Sequence, residues 1–184
     1  MTGISMAITL DGASSLQGKL NRLAGRMEHM RPLMEDIGGY LDFSTRNRFL
    51  KQIAPDGTPW QPSARALREH GKTLIDSARL FGSFSYQASD RSVEEGTNVI
   101  YAGIYQFGGK IKHPARRQTI YRKVDADGDL SHRFVKRSKS NFASDHDVEA
   151  YDVDVVARPM LGVNEHDERE IGHIVDAYIM GGLQ

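Results

Sequence analysis

The N-terminal part of the chain repeats apolar residues at helical spacing. Leu16, Leu20, Leu23, Met27 and Met30 recur at alternating intervals of four and three residues, which places them on one stripe of a helix. We predict that this stripe packs on the core or on a partner helix; a methionine-rich groove for peptides is the alternative.

A second helix follows, and the two are predicted to form an α-hairpin or one bent helix. Pro32 fits the first turn of a helix, and the pair Gly38-Gly39 predicts a weak point within it. The helix has an apolar side formed by Leu33, Ile37, Leu41 and Phe49. Ser14 or Ser15 can cap the first helix, and alternation over residues 6–10 predicts a short strand before it.

The middle of the chain is divided into brief elements. Residues 63–70 and 74–81 predict two short helices, and residues 84–88 predict a strand that returns over 91–96. The run 95–108, EGTNVIYAGIYQFG, joins the end of this return strand to an aromatic helical turn closed by glycine. This run has no paired acid and base and no pair of metal ligands, which favours a structural role.

The C-terminal half predicts a projecting hairpin. Residues 118–124 and 130–136 are predicted strands joined at Asp127-Gly128, a strong hairpin signal. Because neither strand has an apolar face, we expect the hairpin to project from the body or to lie on another subunit. Residues 138–147 are poor in apolar side chains and predict a mobile stretch.

A strand and a helix are predicted to end the chain. Residues 151–155 alternate as a strand with its aspartates outward. Asn164 is the predicted N-cap of a final helix that Gly181-Gly182 ends, and the apolar residues of this helix are Ile171, Ile174, Val175 and Tyr178. We predict one α+β domain over residues 1–184, with N-terminal helices on a mostly antiparallel sheet. A basic hairpin and a mobile loop are expected to project from it over residues 110–150.

Composition excludes several classes of protein. The net charge is zero, so no global field attracts the chain to nucleic acid or to a membrane. The chain has no cysteine, which excludes disulfides, thiolate catalysis and cysteine-based zinc sites. The N-terminus lacks the pattern of a signal peptide, and no run approaches the roughly 18 apolar residues of a membrane span. We expect no membrane partner.

The zero net charge hides an uneven distribution. Residues 110–139 carry ten Lys or Arg and three Asp, a net charge of +7, and many acidic residues follow between 145 and 170. Such blocks suggest complementary surfaces, within one fold or between copies, and two solvated faces without a partner are the alternative. The candidate interface or DNA-facing residues are Lys110, Lys112, Arg116, Arg117, Arg122, Lys123, Arg133, Lys136 and Arg137.

Motifs for catalysis and for ligand binding are incomplete. Residues 71–73 (GKT) lack the earlier glycine of a phosphate-binding loop, and the aspartate-rich run 125–129 has its glycine at the wrong position for a calcium loop. His166, Glu170 and His173 share a helix face and could hold zinc or nickel, so a metal-dependent hydrolase is a competing hypothesis. We nevertheless predict no catalytic residue, no cofactor and no metal.

Residues 54–60 (APDGTPW) form a turn-dense loop that ends in the only tryptophan. Two prolines restrict this loop, and rigid loops of this kind often position an aromatic side chain. Trp60 is therefore expected either to attach the loop to the core of its own chain or to contact another subunit.

Four segments in this order resemble the phage virion morphogenesis, or tail completion, family of contractile-tailed phages and Mu-like prophages. They are residues 56–63 (DGTPWQPS), 74–80 (LIDSARL), 96–108 (GTNVIYAGIYQFG) and 157–162 (ARPMLG). The resemblance spans most of the chain, and the family often has glycine where this chain has Ala78. The motif residues that we predict to be structural anchors are Trp60, Tyr101, Phe107, Arg158 and Pro159.

The resemblance implies a structural protein of the virion neck, where the tail meets the DNA-filled head. Such proteins act as rings, often sixfold, so the implied partners are other copies of the chain, the tail tube and the head connector. Assembly would take place in the cytoplasm of the bacterial host. The alternative is a nucleic-acid-binding protein without sequence preference, acting through the basic hairpin 110–139.

Overall fold

The computed structural model describes residues 13–125 and 127–183. The helices are α1 (Ala13–Glu28), α2 (Arg31–Lys51), α3 (Ala64–Glu69), α4 (Ala102–Phe107) and α5 (Glu165–Leu183). The strands are β1 (Ser85–Ala88), β2 (Val93–Gly96), β3 (Gly109–His113), β4 (Arg116–Arg122), β5 (Phe142–Val148) and β6 (Tyr151–Val155). All strand pairs are antiparallel, so the predicted α+β class is confirmed.

The chain divides into two compact units. The first, here called the body, combines the chain up to Phe107 with the chain from Arg158 onward. The second, here called the arm, is Gly108–Ala157. The body contains the five helices and the β1–β2 hairpin, and the arm contains the other four strands. This division matters for function because the two units are stabilised in different ways.

The core of the body is built around Phe49, which is completely buried. Its ring packs in T-shaped geometry against the rings of Trp60, Phe81 and Phe84, at centroid distances of 5.3, 5.8 and 5.5 Å. Such tilted aromatic pairs stabilise a core beyond the area that they bury. Trp60 also donates from Nε1 to the carbonyl oxygen of Pro159 at 3.0 Å. The tryptophan therefore attaches its loop to the core of its own chain.

A buried ion pair joins α2 to α5. Arg48 and Asp167 are 4% and 2% exposed, and the guanidinium donates to the carboxylate. Tyr40 and Ser44 donate to the same carboxylate at 2.9 and 2.6 Å. Burial alone would raise the pKa of Asp167, but the hydrogen bonds from Ser44, the backbone of Asn164 and Tyr40, with the charge of Arg48, hold it below its ordinary value. Asp167 is thus ionised and fully partnered at neutral pH.

The same carboxylate also begins helix α5. Asn164 accepts from the backbone N–H of Asp167 at 2.9 Å, and Asp167 accepts from the backbone N–H of Asn164 at 3.1 Å. This reciprocal arrangement is a capping box. The predicted N-cap at Asn164 is confirmed, whereas the predicted end at Gly181-Gly182 is wrong, because α5 continues to Leu183.

Helix α2 begins with Pro32 in its first turn, as predicted, and runs unbroken through Gly38 and Gly39. The predicted weak point is wrong for a steric reason. A Cβ atom on Gly38 would lie 2.2 Å from Cδ2 of Tyr86, so the glycine lets strand β1 pack closely against the helix.

Helix α1 differs from its prediction in its N-terminal cap and in the exposure of its apolar residues. Ser14 and Ser15 lie inside the helix, which begins at Ala13, rather than capping it. Leu16, Leu20 and Met27 are 59%, 52% and 51% exposed, so packing of this stripe on the core is wrong for these three residues. The strand predicted over residues 6–10 lies outside the described residues.

The helix predicted over residues 74–81 is wrong. Leu74 and Ala78 have left-handed backbone conformations, with φ of 62° and 59°, and these interrupt any helix. A short 3-10 turn follows at Phe81–Ser83. By contrast, the helix predicted over 63–70 is confirmed as α3, which Ser63 caps by accepting from Ala66 N at 3.2 Å. The hairpin of β1 and β2 is also confirmed.

Replacing Ala78 with glycine is expected to raise the free energy of unfolding by about 0.5–1 kcal/mol, because glycine adopts positive φ without steric cost. Urea unfolding of the purified protein measures the change. The matched control is Ala177→Gly in α5, which is expected to lower stability by about 1 kcal/mol. A loss of stability on Ala78→Gly would contradict the assigned conformation.

Replacing Asp167 with alanine is expected to lower the free energy of unfolding by about 3–5 kcal/mol, because Arg48 would remain buried without a counter-charge. Denaturant unfolding monitored by circular dichroism measures the loss. The control is Asp176→Ala, an exposed acid on the same helix, whose effect should stay within about 0.5 kcal/mol. Equal effects of the two changes would show that the ion pair does not stabilise the fold.

Candidate functional site

The arm consists of two antiparallel ladders in series. Strand β3 pairs with β6, and strand β4 pairs with β5. The strand predicted over residues 151–155 is confirmed as β6, but two other predictions are wrong. Residues 130–136 form no strand and only single backbone hydrogen bonds to the preceding segment, and the stretch 138–147, predicted to be mobile, contains most of β5.

The turn at Asp127-Gly128 exists, but it closes only the tip of the arm. Gly128 has φ of 89°, and the Asp125 carboxylate accepts from the backbone of Asp129 at 2.9 Å. One isolated bridge, between Val124 and Leu130, follows this turn. The returning chain then makes two single backbone hydrogen bonds, from Ser131 to Lys123 at 2.8 Å and from Val135 to Tyr121 at 2.9 Å, before the regular ladder begins with Phe142 opposite Arg122. A local turn signal therefore did not determine which strands pair.

Charges within the ladders are partly matched across the strands. Lys110 lies opposite Asp154, with Nζ and Oδ1 3.6 Å apart, and Lys112 lies opposite Asp152. In the other ladder, Arg117 approaches Asp145 at 3.3 Å. Two of the ten basic residues, Lys110 and Arg117, thus form ion pairs with acidic residues inside the arm, in line with one of the two arrangements predicted for complementary charges.

The basic residues at the tip of the arm are not matched in this way. The tip, defined as residues 122–139, carries six basic and three acidic residues, a net charge of +3. None of these six forms an ion pair within the described part of the chain. They are Arg122, Lys123, Arg133, Lys136, Arg137 and Lys139. At their centre, the Arg122 guanidinium lies over the ring of Phe134, 5.3 Å from its centroid, and Phe134 is 67% exposed.

The ladder of β3 and β6 has two different faces. Lysine and aspartate side chains occupy one face, and Ile111 and Val153, which lie directly opposite each other, occupy the other. His113 and Tyr151 stack on that apolar face with ring centroids 4.7 Å apart. None of the described residues of the arm is buried. Because two-stranded ladders are marginally stable alone, this face is suited to contact with another surface.

The body presents apolar side chains of its own around α4. Ile100 is 99% exposed and Phe107 is 82% exposed. Ile100 lies in the turn before the helix, and Phe107 is its last residue. The side chain of Gln106 accepts from the backbone N–H groups of Met160 and Leu161 at 2.8 and 3.1 Å and donates to the carbonyl of Leu161. The helix is therefore fixed to the body while Ile100 and Phe107 remain exposed.

The five predicted anchors fall into two groups. Trp60 and Arg158 are buried, and Arg158 donates from Nε to the carbonyl of Gln61 at 2.8 Å. Pro159 is half-buried and accepts the hydrogen bond from Trp60. Tyr101 and Phe107, in contrast, are 41% and 82% exposed. The same motif segments thus provide both internal packing and external surface.

Glu95, at the end of β2, is a partly buried acid in the motif segment. Burial raises the pKa of its carboxyl above the ordinary value, and the charge of Asp42 adds to this effect. The hydrogen bond from Thr45, 3.2 Å long, and the charges of Arg48 and Arg46 oppose it. Because Thr45 and Glu95 lie on α2 and β2, this hydrogen bond links two elements of the body.

The competing hypothesis of a metal site at His166, Glu170 and His173 is not supported. Among the described residues, no group of three histidine, aspartate or glutamate side chains is placed to bind a metal ion. His166 instead lies with Nδ1 3.4 Å from the hydroxyl of Tyr40. None of the described helices combines the length and the apolar composition that crossing a membrane requires.

Comparisons with known proteins identify the family of the chain. The sequence profile described as the phage virion morphogenesis family matches residues 11–180. The chain is also 30% identical over 104 residues to a protein of Haemophilus influenzae named Mu-like prophage FluMu G protein 2, a match that covers 56% of this chain and 70% of that relative. No solved structure is significantly similar to it. The chain therefore belongs to the phage virion morphogenesis family.

Proposed function

We propose that this protein is a structural component of the phage neck that completes the tail and joins it to the DNA-filled head. It acts by assembling into a ring of identical copies, and it carries out no catalysis. The observation that carries this proposal is the arm, whose 50 residues, Gly108–Ala157, include no buried side chain among those described. An extension without a core gains stability by covering, or being covered by, another protein surface.

The distribution of apolar surface supports contacts between copies. The arm exposes Ile111, Tyr151 and Val153, each close to 40%, and the body exposes Ile100 and Phe107 almost fully. A ring requires two different surfaces on each copy, because its contacts are heterologous. The arm and the body offer two such surfaces of different shape.

The family and the relative from a Mu-like prophage support a role in the virion. In this proposal the ring lies at the end of the tail tube and faces the head connector. The basic side chains of the arm would then lie near the path of the DNA, where weak contacts without sequence preference are compatible with passage.

Replacing Ile111 and Val153 together with serine is expected to weaken assembly of the purified protein at least tenfold, because these opposed side chains provide the apolar contact of the arm. Sedimentation velocity and negative-stain imaging report the size and the ring. In a phage lacking the wild-type gene product, the same variant should leave filled heads separated from tails.

The matched control is Lys112→Ser with Asp152→Ser, an opposed pair on the charged face of the same ladder. This control should assemble as the wild-type protein does. If both double variants assemble normally, the apolar face is not a contact. If the wild-type protein stays monomeric at all concentrations and phage lacking it still join heads to tails, the proposed function is wrong.

A further inference from the structure

The charges that remain unmatched within one copy are of opposite sign on the arm and on the body. The tip of the arm has a net charge of +3 and no ion pair among its described basic residues. Helix α5 of the body contains five acidic residues and one basic residue, Arg169. One of these acids, Asp167, is buried against Arg48. Without Asp167, the other four acids and Arg169 give α5 a net charge of −3.

Three of these acids form an exposed stripe. Glu165, Glu168 and Asp176 are separated by three and eight residues, which places them on one side of the helix, and all three are exposed. None of them forms an ion pair with another described residue. The stripe lies on a helix that is fixed to the body by the buried ion pair, so its charges are held in a defined position.

We propose that the basic tip of one copy docks on the acidic stripe of α5 in the next copy. This inference rests on the proposed self-assembly and names the polar contact that orders the copies. The contact joins two different patches, so it adds copies head to tail and leaves one tip and one stripe available at each end of an open chain. Opposed charges fix the register and accelerate the encounter, and they suppress pairing of two tips or of two stripes.

The chemistry of the tip favours a protein partner. Phe134 is exposed at the centre of the basic residues and is held under Arg122. Aromatic and arginine side chains are the residues that most often dominate protein interfaces.

Charge reversal on one surface at a time tests the contact. The tip variant is Lys136→Glu with Arg137→Glu, and the stripe variant is Glu165→Lys with Glu168→Lys. Each is expected to weaken self-association at least tenfold at about 50 mM salt, because like charges would then oppose each other. The full-length protein is measured by sedimentation velocity, and circular dichroism melting confirms that each variant is folded.

Two combinations separate this contact from a general effect of charge. Placing all four substitutions on one chain is expected to restore assembly, because the charges are again opposite across the contact. Mixing the tip variant with the stripe variant is expected to restore assembly with the two variants alternating, because each contact between unlike variants again joins opposite charges, whereas each variant alone stays dissociated. The control, Lys51→Glu with Arg91→Glu, makes the same change in net charge at exposed body residues and should assemble normally.

Several outcomes would overturn the inference. If the wild-type protein assembles and the tip variant assembles equally well, the proposed function stands and the contact is wrong. If the tip variant loses binding to a labelled random-sequence DNA duplex while assembly is unchanged, the tip is a nucleic-acid surface. If the variant with all four substitutions stays dissociated although it is folded, the two patches do not meet. If no assembly of the wild-type protein occurs, the proposed function fails together with the contact.

Discussion

The buried pair of Arg48 and Asp167 is the interaction on which the body depends. One carboxylate receives hydrogen bonds from Tyr40, Ser44 and the guanidinium while also capping helix α5. Arg48 also donates to the carbonyl oxygen of Met160 at 3.0 Å, which brings the last motif segment to the core. Two helices and one loop that are distant in sequence are therefore joined by one neutralised pair. Because a buried charge is tolerated only when it is paired, the pair allows one arrangement of these elements and disfavours others.

This constraint explains why the body can leave so much apolar surface in solvent. Burial of Phe49, Trp60 and Phe84, together with the ion pair, stabilises the body without using Ile100 or Phe107. Apolar side chains that are not needed for the core are available for a partner. The arm represents the opposite case, since its stability comes from backbone ladders and cross-strand pairs. The arm is therefore stabilised by pairing between neighbouring strands, whereas the body is stabilised by a shared core.

Much of the body could be predicted from sequence because the signals are local. Pro32, Ser63 and Asn164 act at helix starts, where the capping chemistry involves residues at most three positions away. The left-handed residues Leu74 and Ala78 have no such signal, because neither is glycine or asparagine. The ion pair could not be predicted either, since 119 residues separate its members and both residue types are usually exposed.

The strand pairing of the arm could not be predicted from local sequence signals. The turn at Asp127-Gly128 was identified, but the partner of β4 was not, because β5 contains Ser144, Asp145 and His146 rather than apolar residues. Its ladder is favoured by charge and hydrogen-bond pairing across the strands, as between Thr119 and Asp145 at 2.7 Å. Such pairing becomes visible only when the register is known. The two charge blocks predicted complementary charges, but they did not predict which acidic residues would pair with which basic residues inside the arm.

The chain passes between the body and the arm twice, at residues 107–108 and at residues 157–158. On the body side, Tyr105 accepts from the backbone of Arg158 at 2.6 Å, so the points where the chain leaves and returns are held together. On the arm side, Gly108 has φ of 70°, and a Cβ atom there would lie 2.9 Å from the backbone nitrogen of Ala157. Only glycine permits this close approach at positive φ. Both contacts bring together the segments at which the chain enters and leaves the arm.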